Sequence, residues 1–441
     1  MMSKISSPIS AALFERAQKV LPGGVSRNTL LRGMHPLYVK NAKGCKIFDV
    51  DGVERIDFAN NMASHIHGHA FEPIVSAVSE QLKLGTAFTM ATEVEILFAE
   101  HLCSRSESFE KIRFVNSGTE AVMAGMKAAR AFTGRTKIAK VEGSYHGSYD
   151  YAEVSQESKP GNWGDLDRPN AIPLAHGTPS SVIEDVIILP FNEPDKATAI
   201  LDEHKDDIAC VIIDPIPHRI GMVPVSAEFA KALRKWTTTN SAILMFDEVI
   251  TYRSEYGGMQ EQLNVTPDLT SMGKMIGGGF PVGALAGHAD VMGVFVKGDR
   301  GLLLPHSGTF SANPVTMTAG LVAMELFDRD AVSKINKLGD YTRASLKDVI
   351  KTADIPGSVT GAGSLFRIHM KENAPTNYRE THPTEKEAKA LSAFIDELYD
   401  EGIMMIHTAG GTLSTPMDEA IIDQFTEAVY KSLVKIKPIL V

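Results

Sequence analysis

The stretch CVIIDPIPHRIGMVPVSAEFAKALRKWTTTNSAILMFDEVI, residues 210–250, decides the fold. It begins and ends with short apolar runs, CVIIDPI and AILMFDEVI, and a helical pattern, AEFAKALRKWTT, lies between them. Strands without alternating polar residues are buried on both faces, and a helix between two such strands is typical of a parallel sheet. The stretch therefore predicts an α/β fold.

The same alternation continues on both sides of this stretch, from about residue 111 to residue 290. KIRFVN, KIAKVEG and DVIILP are strand-like, and EAVMAGMKAARAF is helical. This order predicts a mainly parallel sheet with helices on both faces. After residue 316, helical and strand-like segments follow each other without that regularity, which predicts a smaller α+β domain.

The composition is that of an ordinary globular protein. The 441 residues carry a net charge of −10 and a pI near 5.8, which argues against broad binding of nucleic acids or anionic membranes. Three widely spaced cysteines fit reduced thiols better than a disulfide framework. The first twenty residues lack the apolar core of a signal peptide, so the default prediction is a cytoplasmic protein.

The first candidate site lies where the strand KIRFVN leads into a helix, at residues 116–120. Ser117 and Glu120 have the spacing of a capping box, and Gly118 lets a ligand approach the backbone closely. The helix N-terminus offers free N–H groups beside Thr119, together with the positive end of the helix dipole, which suits a phosphate. A well-capped helix without any ligand explains the same residues, and this segment alone favours that alternative.

Two further candidates follow other strands of the predicted sheet. In KVEGSYHGSYD, residues 140–150, Tyr145 could stack on a planar ring and His146 follows it, although a polar loop is the simpler alternative. Asp247 ends the strand AILMFD, at the edge where open parallel sheets bind ligands. A buried ionised Asp needs a partner such as a protonated pyridine nitrogen; otherwise it caps the next element.

Lys274 lies in DLTSMGKMIGGGFPVGALAG, residues 268–287, between an apolar strand and a glycine-rich loop. A lysine that loses its water shell has a lowered pKa and becomes a nucleophile for a carbonyl group. Most lysines are solvated surface residues, so Lys274 alone would indicate nothing. Together, the four segments supply a phosphate cradle, a stacking ring, a pyridinium partner and an amine nucleophile, which are the groups that pyridoxal phosphate (PLP) requires.

These motifs resemble those of class III, fold-type I PLP-dependent aminotransferases, especially the branch of glutamate-1-semialdehyde aminomutase and β-amino-acid (β-phenylalanine-type) aminotransferases. The resemblance spans nearly the whole chain, through LPGGVSR, FVNSGTEA, EGSYHG, FDEV, TPDLTSMGKMIGGGFPVGA and HSGTFSANPVTMTAG. It implies a large PLP-binding domain at residues 66–315 with a mainly parallel seven-stranded sheet. Residues 316–441 would form the smaller α+β domain, and residues 1–65 an N-terminal arm and part of that small domain.

The resemblance also implies a role for each matching residue. Lys274 would carry PLP as a Schiff base and move the substrate proton, and Asp247 would pair with the pyridine nitrogen. The other implied cofactor contacts are Ser117, Gly118 and Thr119 at the phosphate, Tyr145 and Val249 on the two ring faces, His146 beside them, and Thr309. Thr309 would reach the phosphate of the neighbouring subunit, which implies a homodimer with shared active sites.

Two departures from the aminomutases favour an aminotransferase. Aminomutases carry an acidic residue in a Glu-Ala-Gly stretch, whereas the matching residues 408–411 are TAGG. They also carry Trp-Gly-Pro before the first Gly-His, where residues 60–69 are NNMASHIHGH. We therefore predict transfer of an amino group from a small β- or ω-amino acid to a keto acid. The alternatives are an aminomutase, another PLP enzyme on this scaffold, or a catalytically silent binding protein.

Three residues are candidates for substrate binding. Arg27 matches the arginine with which β-amino-acid aminotransferases bind the substrate carboxylate, a task that suits its planar fork. An equal alternative is an arm arginine that pairs with the other subunit. Residues 214–221, DPIPHRIG, replace the family's Glu-Pro followed by Gln or Gly-Asn. We hypothesise that His218 or Arg219 contacts the cofactor's phenolic oxygen or an acidic substrate group.

Two more observations concern the rest of the site. The second arginine that some β-amino-acid aminotransferases use is not apparent in the sequence near Thr408. His65, His67 and His69 alternate and would share one face of a strand, as metal ligands do. Relatives keep a Gly-His pair at this place without a metal, so we predict no metal site.

Overall fold

The structure, a computed structural model, describes residues 7–31, 33, 35–299 and 301–441. Its strands in chain order are β1 (Val39–Lys43), β2 (Lys46–Asp49), β3 (Glu54–Asp57), β4 (Lys111–Val115), β5 (Lys137–Val141), β6 (Gly164–Asp165), β7 (Arg168–Pro169), β8 (Val186–Leu189), β9 (Ile208–Ile213), β10 (Ile243–Asp247), β11 (Leu269–Gly273), β12 (Gly283–Gly287), β13 (Lys297–Gly298), β14 (Gly301–Leu302), β15 (Ser358–Thr360), β16 (Leu365–His369), β17 (Ile403–Met404) and β18 (Gly410–Thr412).

The helices of eight or more residues are Pro8–Ala17, Glu72–Leu84, Glu93–Ser104, Gly118–Thr133, Pro194–Asp202, Ala227–Thr239, Pro314–Leu326, Arg329–Ala353, Glu385–Asp400 and Glu419–Leu440. Shorter helices are Asp150–Glu153, Ser180–Glu184, Gln260–Leu263 and Ala289–Met292. Among the described residues, no helix combines the length and the apolar character that crossing a membrane requires.

The stretch at residues 210–250 forms the predicted βαβ unit. All six residues of β9 are buried, and each fully buried Ile or Val contributes roughly 1.5–3 kcal/mol. The following helix, Ala227–Thr239, begins where the Ser226 side chain accepts a hydrogen bond from the Phe229 N–H group. Apolar residues three and four positions apart then bury one face of that helix, and β10 pairs with β9 in parallel.

The large sheet confirms the predicted α/β fold with seven mainly parallel strands. Its strand order is β4-β12-β11-β10-β9-β5-β8, and β12 runs antiparallel to both of its neighbours. The other neighbouring strands are parallel. The carboxyl ends of β4, β5, β9, β10 and β11 therefore lie at the same edge, and every candidate cofactor residue up to Lys274 follows one of these strands.

Contacts divide the chain into two units. The first comprises Met1–Phe71, Lys337–Ala374 and Pro383–Val441, and the second comprises Glu72–Asn336 and Pro375–His382. The second unit holds the seven-stranded sheet, whereas the first holds the sheets β1-β2-β3-β17 and β15-β16-β18 with their helices, an α+β arrangement. This division by contacts does not test the domain limits predicted after residues 65 and 315, which remain predictions.

Candidate active site

Asp247 is the carboxylate at the centre of the sheet edge. It ends β10, it is 5% exposed, and its backbone pairs with Ser271 of β11. The Ser271 hydroxyl and the Val249 N–H group both donate to Asp247 Oδ1 at 3.2 Å. His146 Nδ1 lies 2.7 Å from Asp247 Oδ2. These contacts hold the carboxylate in one orientation and still leave it acceptor capacity, because a carboxylate accepts about four hydrogen bonds.

His146 supports Asp247 from the loop after β5. Burial lowers the pKa of His146, although the hydrogen bond to Asp247 opposes this shift, so the ring is neutral near pH 7. The tautomer that places the imidazole proton on Nδ1 lets this nitrogen donate to Asp247 Oδ2. Within the described part of the chain, the buried His146 Nε2 has no hydrogen-bond partner.

Lys274 comes directly after β11, three residues beyond Ser271. Desolvation lowers the pKa of its amine, while Asp247 and Asp214 act in the opposite direction. A lowered pKa increases the neutral, nucleophilic fraction of the amine. Lys274 also has a φ of 51°, a left-handed conformation that residues other than glycine rarely adopt. Such backbone strain, about 1–3 kcal/mol, is concentrated at functional sites.

Two acidic residues that the sequence had not suggested lie at the same edge. Asp214 follows β9, and burial together with the Asp247 carboxylate raises its pKa well above the usual range. Glu248 follows Asp247, is completely buried, and accepts a hydrogen bond from the Met259 N–H group at 2.8 Å. Burial raises the pKa of Glu248 to about 8. Burial therefore favours the protonated form of both acids beside Asp247.

The helix Gly118–Thr133 points its N-terminus to this edge. The Ser117 hydroxyl accepts from the Glu120 N–H group at 3.2 Å, and Glu120 Oε2 accepts from the Asn116 N–H group at 2.7 Å. A Cβ atom at Gly118 would lie 2.8 Å from Val249 Cγ1, so only glycine fits there without displacement. Gly118, predicted to contact the phosphate, therefore lies directly against Val249, which is predicted to contact one face of the cofactor ring.

The loop after β5 meets the same helix N-terminus. The Thr119 hydroxyl accepts from the Ser148 N–H group at 3.3 Å, and a Cβ atom at Gly147 would lie 2.5 Å from Thr119 Oγ1. Tyr145 lies in this loop and is half-buried. The structure thus brings the helix N-terminus, Tyr145 and His146 together with Asp247, as the sequence had suggested.

His218 and Arg219 both contact Tyr145. The His218 ring stands edge-on to the Tyr145 ring with a centroid distance of 5.9 Å. Arg219 Cζ lies 5.5 Å from the Tyr145 centroid, and Arg219 forms an ion pair of 2.6 Å with Glu157. The two residues therefore lie beside the predicted stacking ring, and the charge of Arg219 already has a carboxylate partner.

Two cations that the sequence had not indicated hold the loop of Tyr145 and His146. Lys140 is completely buried, donates to the carbonyl groups of Ser144, Ala152 and Val154 at 2.6–2.9 Å, and has a pKa that burial lowers to about 7. Arg379 forms a buried ion pair of 2.9 Å with Glu142, the residue that begins the loop. Arg379 also donates to the carbonyl groups of Trp163, Gly164 and Asp165.

Tyr378 completes this support. Its ring occupies the space that a Cβ atom at Gly143 would need, and its hydroxyl donates to the Ser158 carbonyl at 2.9 Å. Gly143 has a φ of 77°, so both its conformation and the adjacent ring require glycine. A segment about 235 residues away in sequence thus fixes the backbone just before Tyr145.

Thr309 and Arg27, the remaining residues with a predicted role, are both exposed. Thr309 is exposed in the loop before the helix Pro314–Leu326. Arg27 belongs to the first unit, is exposed, and donates from Nη1 to Asn61 Oδ1 at 3.0 Å. In that unit, Arg367 of β16 donates to the Thr408 carbonyl at 3.1 Å. An arginine therefore does lie at Thr408, from a strand 41 residues earlier in the chain, where the local sequence had shown none.

The three alternating histidines lie in a turn and not on a strand. His65 and His69 have ring centroids 4.6 Å apart, His69 Nε2 contacts Asp57 Oδ2 at 2.8 Å, and His67 contacts the Thr415 hydroxyl. The turn separates His67 from the other two rings. Among the residues that the structure describes, no group of three His, Cys, Asp or Glu side chains could hold a metal ion.

The residues present fit PLP. The helix N-terminus at Gly118 offers N–H groups to a phosphate, where any larger residue would intrude. The Asp247 carboxyl group, which Ser271 and Val249 orient, can accept a hydrogen bond from a ring N–H group, and Lys274 supplies an amine with a lowered pKa for an aldehyde. Val249 and Tyr145 are the side chains available for the two ring faces.

Comparisons with known proteins show which family and which solved structures this chain resembles. A family model described as class III aminotransferase matches residues 30–433. A curated relative, the glutamate-1-semialdehyde 2,1-aminomutase of Thermodesulfovibrio yellowstonii, is 37% identical, with 97% of this chain and 99% of that protein covered. A solved ω-transaminase from Sphaerobacter thermophilus is 46% identical, has a TM-score of 0.94, and 97% of each chain is covered. A β-phenylalanine aminotransferase from Variovorax paradoxus is 31% identical, with a TM-score of 0.86 over 96% of this chain and 93% of that one.

Proposed function

The chain belongs to the class III aminotransferases, and from this premise we propose that it transfers the amino group of a β- or ω-amino acid to a keto acid. Class III aminotransferases use PLP, so the chain is a PLP-dependent enzyme. The observation that carries the proposal is the arrangement at the sheet edge. Asp247 and Ser271 lie side by side on β10 and β11, and Lys274 follows three residues after Ser271.

Each residue at this edge has a definite task. When bound, PLP supplies an electron sink that makes the C–H bond beside the substrate's amino group acidic. Lys274 supplies the neutral amine that binds the aldehyde, and the same amine accepts and returns the substrate proton. Asp247, oriented by His146 and Ser271, holds the proton on the ring nitrogen. The N–H groups at Gly118 and Thr119 bind the phosphate.

Substrate choice depends on residues outside this edge. The ω-transaminase and the β-phenylalanine aminotransferase named above support an amino donor whose amino group is not on the α-carbon. Arg27 would bind the carboxylate of such a donor. The TAGG stretch at residues 408–411 lacks the carboxylate of the aminomutases, which also favours transfer to a second substrate.

An aminomutase is the second candidate, because the curated relative that is 37% identical carries that activity in its name. The two candidates differ in their need for an acceptor. An aminomutase completes its cycle with one substrate, whereas an aminotransferase stops after one turnover when no keto acid is present.

The test is a panel of amino donors with pyruvate or 2-oxoglutarate as acceptor, followed at the visible band of the cofactor. We expect repeated turnover of β- or ω-amino acids only when an acceptor is added, and Arg27→Ala should raise KM for the amino acid about 10- to 100-fold. Repeated conversion of glutamate 1-semialdehyde without any acceptor, and no turnover of the donor panel, would support the aminomutase instead.

We extend the proposal to a homodimer in which Thr309 contacts the phosphate bound by the partner. Large apolar side chains are exposed before and within the helix Glu93–Ser104 and beside Thr309, including Met90 at 83% and Phe310 at 61%. Exposed apolar clusters of this kind indicate protein interfaces. Light scattering should give about twice the chain mass of 47.8 kDa, and Thr309→Ala should weaken PLP binding. A monomer that retains full PLP affinity would contradict this extension.

His218 and Arg219 remain candidates for the cofactor's phenolic oxygen or an acidic substrate group. Their support is their contact with Tyr145, and Pro217 before them cannot donate a hydrogen bond. Unchanged cofactor spectra and turnover in both His218→Ala and Arg219→Ala would remove both residues from the site.

A further inference from the structure

Residues 60–63, Asn-Asn-Met-Ala, form a left-handed turn. Their φ angles are 44°, 47°, 57° and 71°, and none of the four residues is glycine. L-residues adopt this conformation singly and at a cost, so four in succession need strong local support. Such strain persists where the surrounding structure enforces it, and it is concentrated at functional sites.

Hydrogen bonds at the start of the turn hold it in place. Asp57 Oδ1 accepts from the N–H groups of Ala59 and Asn60 at 2.8 and 2.9 Å. The Asn60 side chain donates to the Thr412 carbonyl at 2.8 Å. These contacts are made by buried residues, so they anchor the turn. They do not explain the orientation of the exposed Asn61 side chain.

The turn presents the side chain of Asn61 in a fixed orientation. The Ser64 hydroxyl donates to the Asn61 carbonyl at 3.0 Å and accepts from Asn61 Nδ2 at 3.0 Å. Because a guanidinium group only donates, the amide atom that faces Arg27 must be the oxygen. Asn61 Oδ1 then points the other way and accepts from Arg27 Nη1 at 3.0 Å.

Resting on the proposed function, we infer that Asn61 is a positioning residue that holds the Arg27 fork ready for the substrate carboxylate. Arg27 and Asn61 are both exposed. Without the hydrogen bond to Asn61, the long Arg27 side chain would sample many rotamers. A neutral amide orients the guanidinium without neutralising its charge. A carboxylate at residue 61 would instead compete with the substrate as a charged partner for Arg27.

The chemistry of Asn suits the turn as well as the arginine. Asn and Asp tolerate left-handed backbone better than other residues with a Cβ atom. Asn61→Asp therefore keeps the shape and the backbone preference, adds a negative charge, and replaces the Nδ2 donor to Ser64 with an oxygen that the Ser64 hydroxyl can donate to. Asn61→Gly still allows the left-handed backbone of the turn but removes the amide that contacts Arg27. This variant therefore separates the contribution of the amide from that of the backbone shape.

The experiment compares two donors that differ only in a carboxylate, 3-amino-3-phenylpropanoate and 1-phenylethylamine. In Asn61→Asp we expect KM for the amino acid to rise about tenfold with little change in kcat, and KM for the amine to stay within twofold. Asn61→Gly should raise KM for the amino acid several-fold. Asn28→Asp places the same charge next to Arg27 on the arm without the hydrogen bond, and it should have a smaller effect.

The outcomes separate this inference from the proposed function. If Arg27→Ala raises KM for the amino acid but Asn61→Asp does not, the inference about Asn61 is wrong and the proposed role of Arg27 stands. If Arg27→Ala has no effect, Arg27 does not bind the carboxylate, and both ideas are wrong. Equal effects of Asn28→Asp and Asn61→Asp would indicate charge alone and would also overturn the inference.

Discussion

The edge of the seven-stranded sheet and the left-handed turn at residues 60–63 both contain strained residues, but they use their surroundings differently. At the sheet edge, Asp247 and His146 are buried, and desolvation shifts the pKa of His146 and of Lys274. At the turn, Asn61 and its partner Arg27 are exposed. Burial strengthens electrostatic interactions, whereas exposure keeps a charged group accessible to a ligand.

This difference separates two kinds of task. The groups that we propose to act on the cofactor would be needed for every substrate, and Asp247 and His146 among them are buried with fixed hydrogen-bond partners. The groups that we propose to recognise the substrate carboxylate lie at the surface, where a strained backbone and one amide hold their geometry. Changes at the sheet edge should therefore affect all substrates alike, while changes at the turn should affect only donors that carry a carboxylate.

The largest expected effect is that of Lys274→Ala. Because this change removes both the amine that binds the aldehyde and the base, we expect kcat to fall by about 10³-fold or more for every donor. Lys274→Arg keeps a long basic side chain but not the nucleophilic amine, and it should be equally inactive. Steady-state assays with both donors would check this, and activity above a tenth of wild type in either variant would contradict it.

A smaller effect is expected from Gly118→Ala. The added methyl group would meet Val249 at 2.8 Å, and overpacking of this kind costs about 1–3 kcal/mol. If this cost is borne by the PLP-bound form, PLP affinity should fall by about 5- to 150-fold, because each 1.4 kcal/mol corresponds to about a tenfold change. Gly161→Ala is the matched control, because nothing lies within 4 Å of its added Cβ atom. Equal PLP dissociation constants in the two variants, measured by spectral titration, would argue against a phosphate cradle at Gly118.

The smallest effect concerns stability and pH at Glu248. Its pKa is raised from 4.5 to about 8, so the stabilisation is present below about pH 4.5 and is lost as the pH rises through about 8. Glu248→Gln resembles the protonated acid and does not titrate. The stability of the wild type relative to this variant should thus fall as pH increases, by up to about 1.4 kcal/mol per pH unit.

Thermal unfolding of both apoproteins at pH 5, 6.5 and 8.5 would measure this difference. Lys140, whose lowered pKa acts in the opposite direction, is present in both proteins and cancels in the comparison. Parallel melting temperatures across the whole range would show that Glu248 is ionised in the folded protein at all three pH values.

The sequence predicted the parts of the site whose chemistry demands a particular residue. Asp247, Lys274 and Gly118 follow strands at the edge where open parallel sheets bind ligands, so strand periodicity placed them together. The mainly parallel sheet followed from the same pattern, whereas its seven strands and the cofactor contact of His146 were implied only by the resemblance to the aminotransferases.

The sequence did not predict the supports that come from distant segments. Lys140 lies in an apolar strand, and lysines are seldom completely buried, so nothing in the sequence distinguished it. Arg379 reaches Glu142 from a part of the chain with no recognisable motif, and Arg367 reaches Thr408 from another strand. The left-handed turn had no sequence signal, because residues 60–63 contain no glycine.

The most direct test of the account is to reduce the PLP-loaded enzyme with borohydride and to map the modified peptide by mass spectrometry. We predict that the cofactor is fixed to Lys274. Lys140 provides an internal control, because burial also lowers its pKa, to about 7, and all of its donors are used by carbonyl groups. Cofactor fixed to Lys140 or to any peptide without Lys274, or no fixation at all, would contradict the assignment of the active site.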